Sequence, residues 1–208
     1  MRMIGKSDGS TAVTVIKRNS KLTWKQKLEK CKYKIKRAYV EHTIKAKGHS
    51  LDEVIDYIVN VFGFVELDKD EVRFERDGLR ASFIMQYAPQ LLGEYATMPR
   101  LKSESKEDIE AHIKQFQVRQ QRAMEVPVSE FDIDFHKFQI SYEDINDNMY
   151  IIVEKRFAYI GGGVSGDKKV MRRFHRIFKD VYRYYGVTAE DIENKSKRYE
   201  QVIRALTR

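Results

Sequence analysis

The sequence is poor in the residues that staple, break or anchor a chain. Its 208 residues include one cysteine, Cys31, and three prolines. A single thiol excludes an internal disulfide and a zinc site built on several cysteines. No apolar run approaches the roughly 18 residues of a membrane-spanning helix. The densest stretch, Ile55 to Val65, is broken by Asn60 and Gly63. The first twenty residues carry Arg2 and Lys6 but no apolar segment of signal-peptide type. Internal repeats and low-complexity tracts are also lacking. These absences predict a soluble, cytoplasmic chain with no membrane partner.

Charge is what the sequence has in excess. It holds 39 Lys and Arg against 31 Asp and Glu, a net charge of +8, while 42% of the residues are hydrophobic, enough to bury a core. The charge is segregated. Residues 1–50 carry 14 basic and 3 acidic side chains, residues 151–208 carry 14 and 7, and the middle hundred is net −10. Such a basic, acidic, basic layout predicts a polyanion-binding surface built from the two ends. The plain alternative is that the acidic and basic thirds neutralise one another in the fold.

Periodicity places the elements. Residues 1–20 read as an arm with a short strand from Thr11 to Ile16. From Lys21 to Lys47, Trp24, Leu28, Cys31, Ile35 and Tyr39 recur at helical spacing. A strand reading, with Cys31, Tyr33 and Ile35 alternating against lysines, is the rival. On the helical stripe Cys31 is expected to be a buried thiol. Ser50 and Glu53 form a capping box for a helix with Leu51, Val54, Ile55, Ile58 and Phe62 inward and Gly63 as its stop. Three strand-like runs follow, Phe64 to Leu67, Glu71 to Glu75 and Leu79 to Tyr87, with Asp77-Gly78 as a hairpin turn. A loop around Pro89 and Pro99 leads to a polar helix, Lys106 to Met124, with Ile109, Ile113 and Phe116 inward. Two longer strands, Glu130 to Tyr142 and Met149 to Ile160, precede a Gly161–Gly166 loop and two C-terminal helices. The fold class is α+β: antiparallel hairpins packed with amphipathic helices. The expected divisions are an arm (1–20), an α+β core with a basic N-terminal helix (21–160) and a basic helical C-terminal segment (161–208).

The strongest functional signal lies in the helix from Lys168 to Tyr185. Val170, Phe174, Ile177, Val181 and Tyr184 form one stripe. Lys168, Arg172, Arg176, Lys179 and Arg183 form a second, with Lys169 and Arg173 beside it. A packed face and a cationic face on one helix set charges about one turn apart, which suits a row of phosphates. The preceding glycine loop, with the helix N-terminus, offers main-chain N–H groups to an anion. The plain reading is a solvated basic face after a flexible linker. Tyr182 and Tyr185 flank the cationic stripe as candidates for base stacking. Glu130, Asp132, Asp134 and His136 alternate on one side of a strand, a pattern that fits either a divalent cation or any half-exposed strand.

Two local resemblances add expectations. The stretch Val181-Tyr182-Arg183-Tyr184-Tyr185-Gly186-Val187-Thr188-Ala189-Glu190-Asp191-Ile192, followed by Lys195-Ser196-Lys197-Arg198 and Arg204, resembles the opening of the C-terminal DNA-binding domain of the replication initiator DnaA. The resemblance spans about 28 residues at the end of the chain. It implies that Lys195, Lys197 and Arg198 meet the DNA backbone. Separately, Asn148-Met149-Tyr150 and Tyr159-Ile160-Gly161, followed by Arg172, His175 and Glu200, resemble the motif order of the GIY-YIG nucleases. That would imply a metal-dependent nuclease.

The sequence thus predicts a nucleic-acid-binding protein without catalytic activity, favouring DNA over RNA, with no cofactor or metal assigned. An accessory role in replication or transcription of a phage- or plasmid-like element follows from the DnaA resemblance. The alternatives are an assembly or regulatory factor that docks on a protein or on itself, and the nuclease.

Overall fold

The computed structural model describes residues 23–99, 101, 103, 105–141 and 148–207. The expected arm and its Thr11–Ile16 strand lie outside the described residues. The fold is α+β, with seven α-helices and one four-stranded antiparallel sheet among the described residues. Two compact units are present: Asp68–Phe135, and a larger one of residues 23–67 and 136–207. The divisions therefore fall near 67 and 135. Residues 160 and 161, where a boundary was expected, sit inside a strand.

The larger unit opens with helix α1 (Trp24–Thr43), capped by a reciprocal Thr23–Gln26 box. The helical reading of this segment holds, and the strand reading falls. Helix α2 (Leu51–Phe62) has the Ser50–Glu53 capping box and ends on Gly63 in the left-handed region, φ 72°. Val54 and Ile58 are buried, with Leu51, Ile55 and Phe62 packed at the margin. Strand β1 is only Val65–Glu66 and pairs antiparallel with β2 (Phe135–Ser141). The expected strand from Glu130 is thus shortened to begin at Phe135.

The expected Met149–Ile160 strand is in fact two. Strand β3 (Asn148–Glu154) turns back at residues 155–158 into β4 (Tyr159–Ser165). The buried Glu154 carboxylate fixes the turn by accepting from the Arg156 and Phe157 backbone N–H groups, at 3.1 and 2.7 Å. Gly161, Gly162 and Gly163 lie opposite Ile152, Ile151 and Tyr150 in this ladder. The expected glycine loop is a strand. Its glycines serve packing: a Cβ at Gly162 would lie 2.6 Å from the Tyr150 carbonyl oxygen and 3.1 Å from the Phe174 ring. Tyr159 and Tyr150 spread their rings over Gly161 and Gly163, as aromatics do over glycines in sheets.

Three C-terminal helices complete this unit: α5 (Lys168–Tyr185), α6 (Ala189–Asn194) and α7 (Lys197–Thr207). Met149, Ile151 and Val153 of β3 share one core with α2, α5 and α7.

The smaller unit overturns one expectation. The residues read as a hairpin form a single helix, α3 (Arg73–Tyr87), which runs through Asp77-Gly78. A tight two-residue hairpin turn needs φ > 0, and Gly78 is not among the positive-φ residues. Glycine in a helix costs about 1 kcal/mol. Burying Ala81 and Ile84 against Leu92, Ala123 and Val126 outweighs that cost. The buried Arg80 guanidinium adds hydrogen bonds to the Phe131 and Val126 carbonyls. Pro89–Tyr95 is a 3₁₀ segment and α4 (Lys106–Glu125) matches the expected helix, with Ile109, Ile113 and Phe116 half-buried.

Candidate polyanion-binding face of helix α5

Helix α5 occupies the residues expected of it and separates its two stripes as expected. Val170, Phe174, Ile177 and Val181 are buried, with Tyr184 half-buried. Lys168, Lys169, Arg172, Arg173, Arg176 and Arg183 are exposed, and Lys179 is half-buried between the stripes. Successive members of the cationic row lie one turn apart, so Lys168 to Arg183 spans about 22 Å at 1.5 Å per residue. Fully burying each large apolar side chain contributes about 1.5–3 kcal/mol. A surface ion pair adds about 0–1 kcal/mol. Packing therefore decides which side of α5 faces outward.

Two further contacts fix the helix. Tyr184 stacks between His49 and Tyr57, with ring centroids 4.0 and 4.1 Å away. Tyr182 Oη donates to the Ile160 carbonyl at 2.7 Å. Tyr182 and Tyr185 are thus buried, which removes both from consideration as base-stacking platforms. Burial also raises the Tyr185 pKa, against the lowering effect of Arg198.

The cations differ in what they already hold. Among the described residues, no acidic side chain pairs with Lys168, Lys169, Arg172 or Arg176. Arg183 pairs with Asp180 at 2.6 Å on an exposed surface. Lys179 stands beside Lys36 of α1. Burial first, then the Lys36 and Arg183 charges, holds its pKa below the usual lysine range. Lysines of the N-terminal helix and the C-terminal row therefore meet here. Sequence could not reveal this meeting, because nothing in either periodicity says that the two segments are neighbours.

Beside the row lies an open groove of about 440 Å³ between α2 and α5. Val61, Phe62 and Ile177 give it an apolar floor, and Lys169, Arg173, Arg176 and Asp180 surround them.

The three residues implied by the DnaA resemblance are placed differently. Lys195, in the left-handed region at φ 49°, reaches Tyr199 Oη at 3.0 Å and lies over that ring. Lys197 donates to the Phe157 carbonyl at 3.0 Å. Arg198 donates to the carbonyls of Gly186, His49 and Tyr185, lies over the Tyr185 ring and faces Asp191 at 3.6 Å. Burial opposes ionisation of Asp191. Hydrogen bonds from Ser196 and Thr188, together with Arg198, nonetheless hold its carboxyl below the usual range. Arg198 is a clasp that ties the start of α7 to the ends of α5 and the 44–50 loop.

At the N-terminus of α5, Asp167 accepts from Lys169 N and Val170 N at 2.7 and 2.8 Å. Gly161–Gly163, expected to form an anion-holding loop, are instead paired with β3 in the sheet. Elsewhere, Glu200 accepts two hydrogen bonds from Arg37, at 2.8 and 3.1 Å. Asp132 pairs with Arg76 and His136 with Glu66. Among the described residues no cluster of three or more His, Cys, Asp or Glu side chains is arranged to hold a metal. None of the described helices is long and apolar enough to cross a membrane.

No family model, curated protein or solved structure matches the chain.

Proposed function

We propose that the protein is a non-catalytic nucleic-acid-binding protein that grips phosphates with the cationic face of α5. One observation carries the reading: Lys168, Lys169, Arg172 and Arg176 line an exposed face of a helix whose other side is buried, and none has an acidic partner among the described residues. Cations held in place at helical spacing, with no internal counter-charge, are what a polyanion neutralises on binding. Lys36, beside Lys179, extends the row onto α1. Backbone contacts of this kind position a nucleic acid without reading its sequence.

DNA is favoured over RNA, and an accessory role in replication or transcription of a mobile element is proposed, on the C-terminal resemblance alone. Of the residues it names, Lys195 and Lys197 are exposed and keep a place in the proposed contact, while Arg198 serves the fold. Fluorescence-anisotropy titration at low salt against duplex DNA, single-stranded DNA and RNA tests the reading. Binding should be tight at low salt and fall with a slope near −4 to −5 in log K against log salt for about five duplex phosphate contacts. Absence of binding to all three at low salt defeats it.

A further inference from the structure

The apolar stripe of α1 is not buried. Trp24 is 78% exposed, Leu28 41%, Ile35 67% and Tyr39 69%, and Cys31 between them is exposed as well. The expectation of a buried thiol is therefore wrong. The helix packs through its opposite side, where Val40 and Ile44 meet the core and Arg37 binds Glu200. What faces outward is a continuous apolar band about 22 Å long at 1.5 Å per residue. Lysines border it on both sides: Lys25, Lys32 and Lys36 along one edge, Lys27 and Lys34 along the other.

Charge and shape select the occupant. A second copy laid face to face would set lysine borders against lysine borders. A nucleic-acid strand would find rings only at Trp24 and Tyr39, with Leu28, Cys31 and Ile35 offering no stacking surface between them. An apolar band that ends in Trp, bordered by lysines that reach outward, suits the interface of an anionic bilayer. We propose that α1 is an interfacial helix that lays the Trp24–Tyr39 band into the headgroup region of anionic lipid. The apolar band is distinct from the cationic face of α5 and adjoins it only at Lys36, so loss of Leu28 and Ile35 tests the band without touching the cationic row.

Trp24 is the only tryptophan and Cys31 the only cysteine of the chain, so the unaltered protein carries two reporters inside the band. The full chain is titrated with phosphatidylcholine vesicles with and without phosphatidylserine. The expected result is a blue shift of Trp24 emission and loss of acrylamide quenching with phosphatidylserine vesicles only, reversed by high salt. Leu28→Ser with Ile35→Ser should weaken vesicle binding tenfold or more and leave nucleic-acid affinity unchanged. If that variant does not fold, an environment-sensitive dye on Cys31 reads the same insertion in the unaltered sequence. No shift with phosphatidylserine vesicles overturns the proposal. So does emission from the free protein that is already that of a covered indole, since the band would then be occupied by the chain itself or a second copy.

Discussion

Helices α1 and α5 are alike as sequences and opposite as structures. Both are lysine- or arginine-rich, both carry an apolar stripe at three- and four-residue spacing, and both belong to the larger unit. In α5 the stripe is buried and the cations face outward. In α1 the stripe itself faces outward, and no residue of the helix is buried. The difference shows that periodicity locates a stripe without saying whether a neighbour covers it. For α5 the neighbours are α7, β4 and α2, the last two brought close by Gly162 and the His49–Tyr184–Tyr57 stack. For α1 the neighbour is α7, which takes the other side.

Core substitutions should break this contrast most sharply. Phe174→Ala should cost about 3–5 kcal/mol, because it empties a buried site against β4. Ile35→Ala, the same kind of truncation on α1, should stay within about 0.5 kcal/mol, because its site is surface. Urea denaturation of both variants measures the pair. Equal losses would mean that the α1 band is covered in solution. Gly162→Val belongs with the large effects. Its branched side chain would meet both the Tyr150 carbonyl and the Phe174 ring, so it should lower the melting temperature by as much as Phe174→Ala or prevent folding.

Thiol chemistry sharpens the contrast without mutation. Cys31 should react with an aromatic disulfide reagent as fast in native protein as in denaturant, since it is exposed. A native thiol protected by a hundredfold or more would place the band in a core.

The smallest effect concerns the point where the two helices meet. The Lys179 pKa is lowered in the fold, so between that value and the ordinary lysine value the unfolded chain binds more protons than the native one. Stability should therefore rise with pH across that window, through this group alone. A bound polyanion favours the protonated form, so affinity should fall as pH rises through the same window. Lys36→Gln removes the neighbouring like charge. It should stabilise the protein by a few tenths of a kcal/mol, about the size of a like-charge helix pair, while weakening nucleic-acid binding. Calorimetry and anisotropy on one preparation give both numbers. A loss of both stability and affinity would show Lys36 to be structural.

Local grammar was legible wherever the signal and the structure rest on the same few residues. The Ser50–Glu53 box, the Gly63 stop and both stripes of α5 are of this kind. It failed where distant packing decides. Asp77-Gly78 spells a hairpin locally, yet Ala81 and Ile84 need a helix to reach Ala123 and Val126. Gly161 to Gly163 spell a loop, yet Tyr150 and Tyr159 need bare backbone beneath their rings. Arg198 has the composition of a phosphate contact, and the carbonyls that engage it lie up to 149 positions away along the chain. Lys168 to Arg183 could be read because helical spacing alone sets their row, whereas the adjoining Lys36 and the Phe62 groove depend on which elements become neighbours.

The salt dependence of binding tests the α5 face most directly. Wild type and the triple variant Lys169→Gln, Arg172→Gln, Arg176→Gln are compared by anisotropy on one duplex across a range of salt. Neutralising three phosphate contacts should flatten the slope by about 2.7, at roughly 0.9 per contact, with the melting temperature unchanged because all three side chains are exposed. An unchanged slope and affinity in a folded variant would contradict the account.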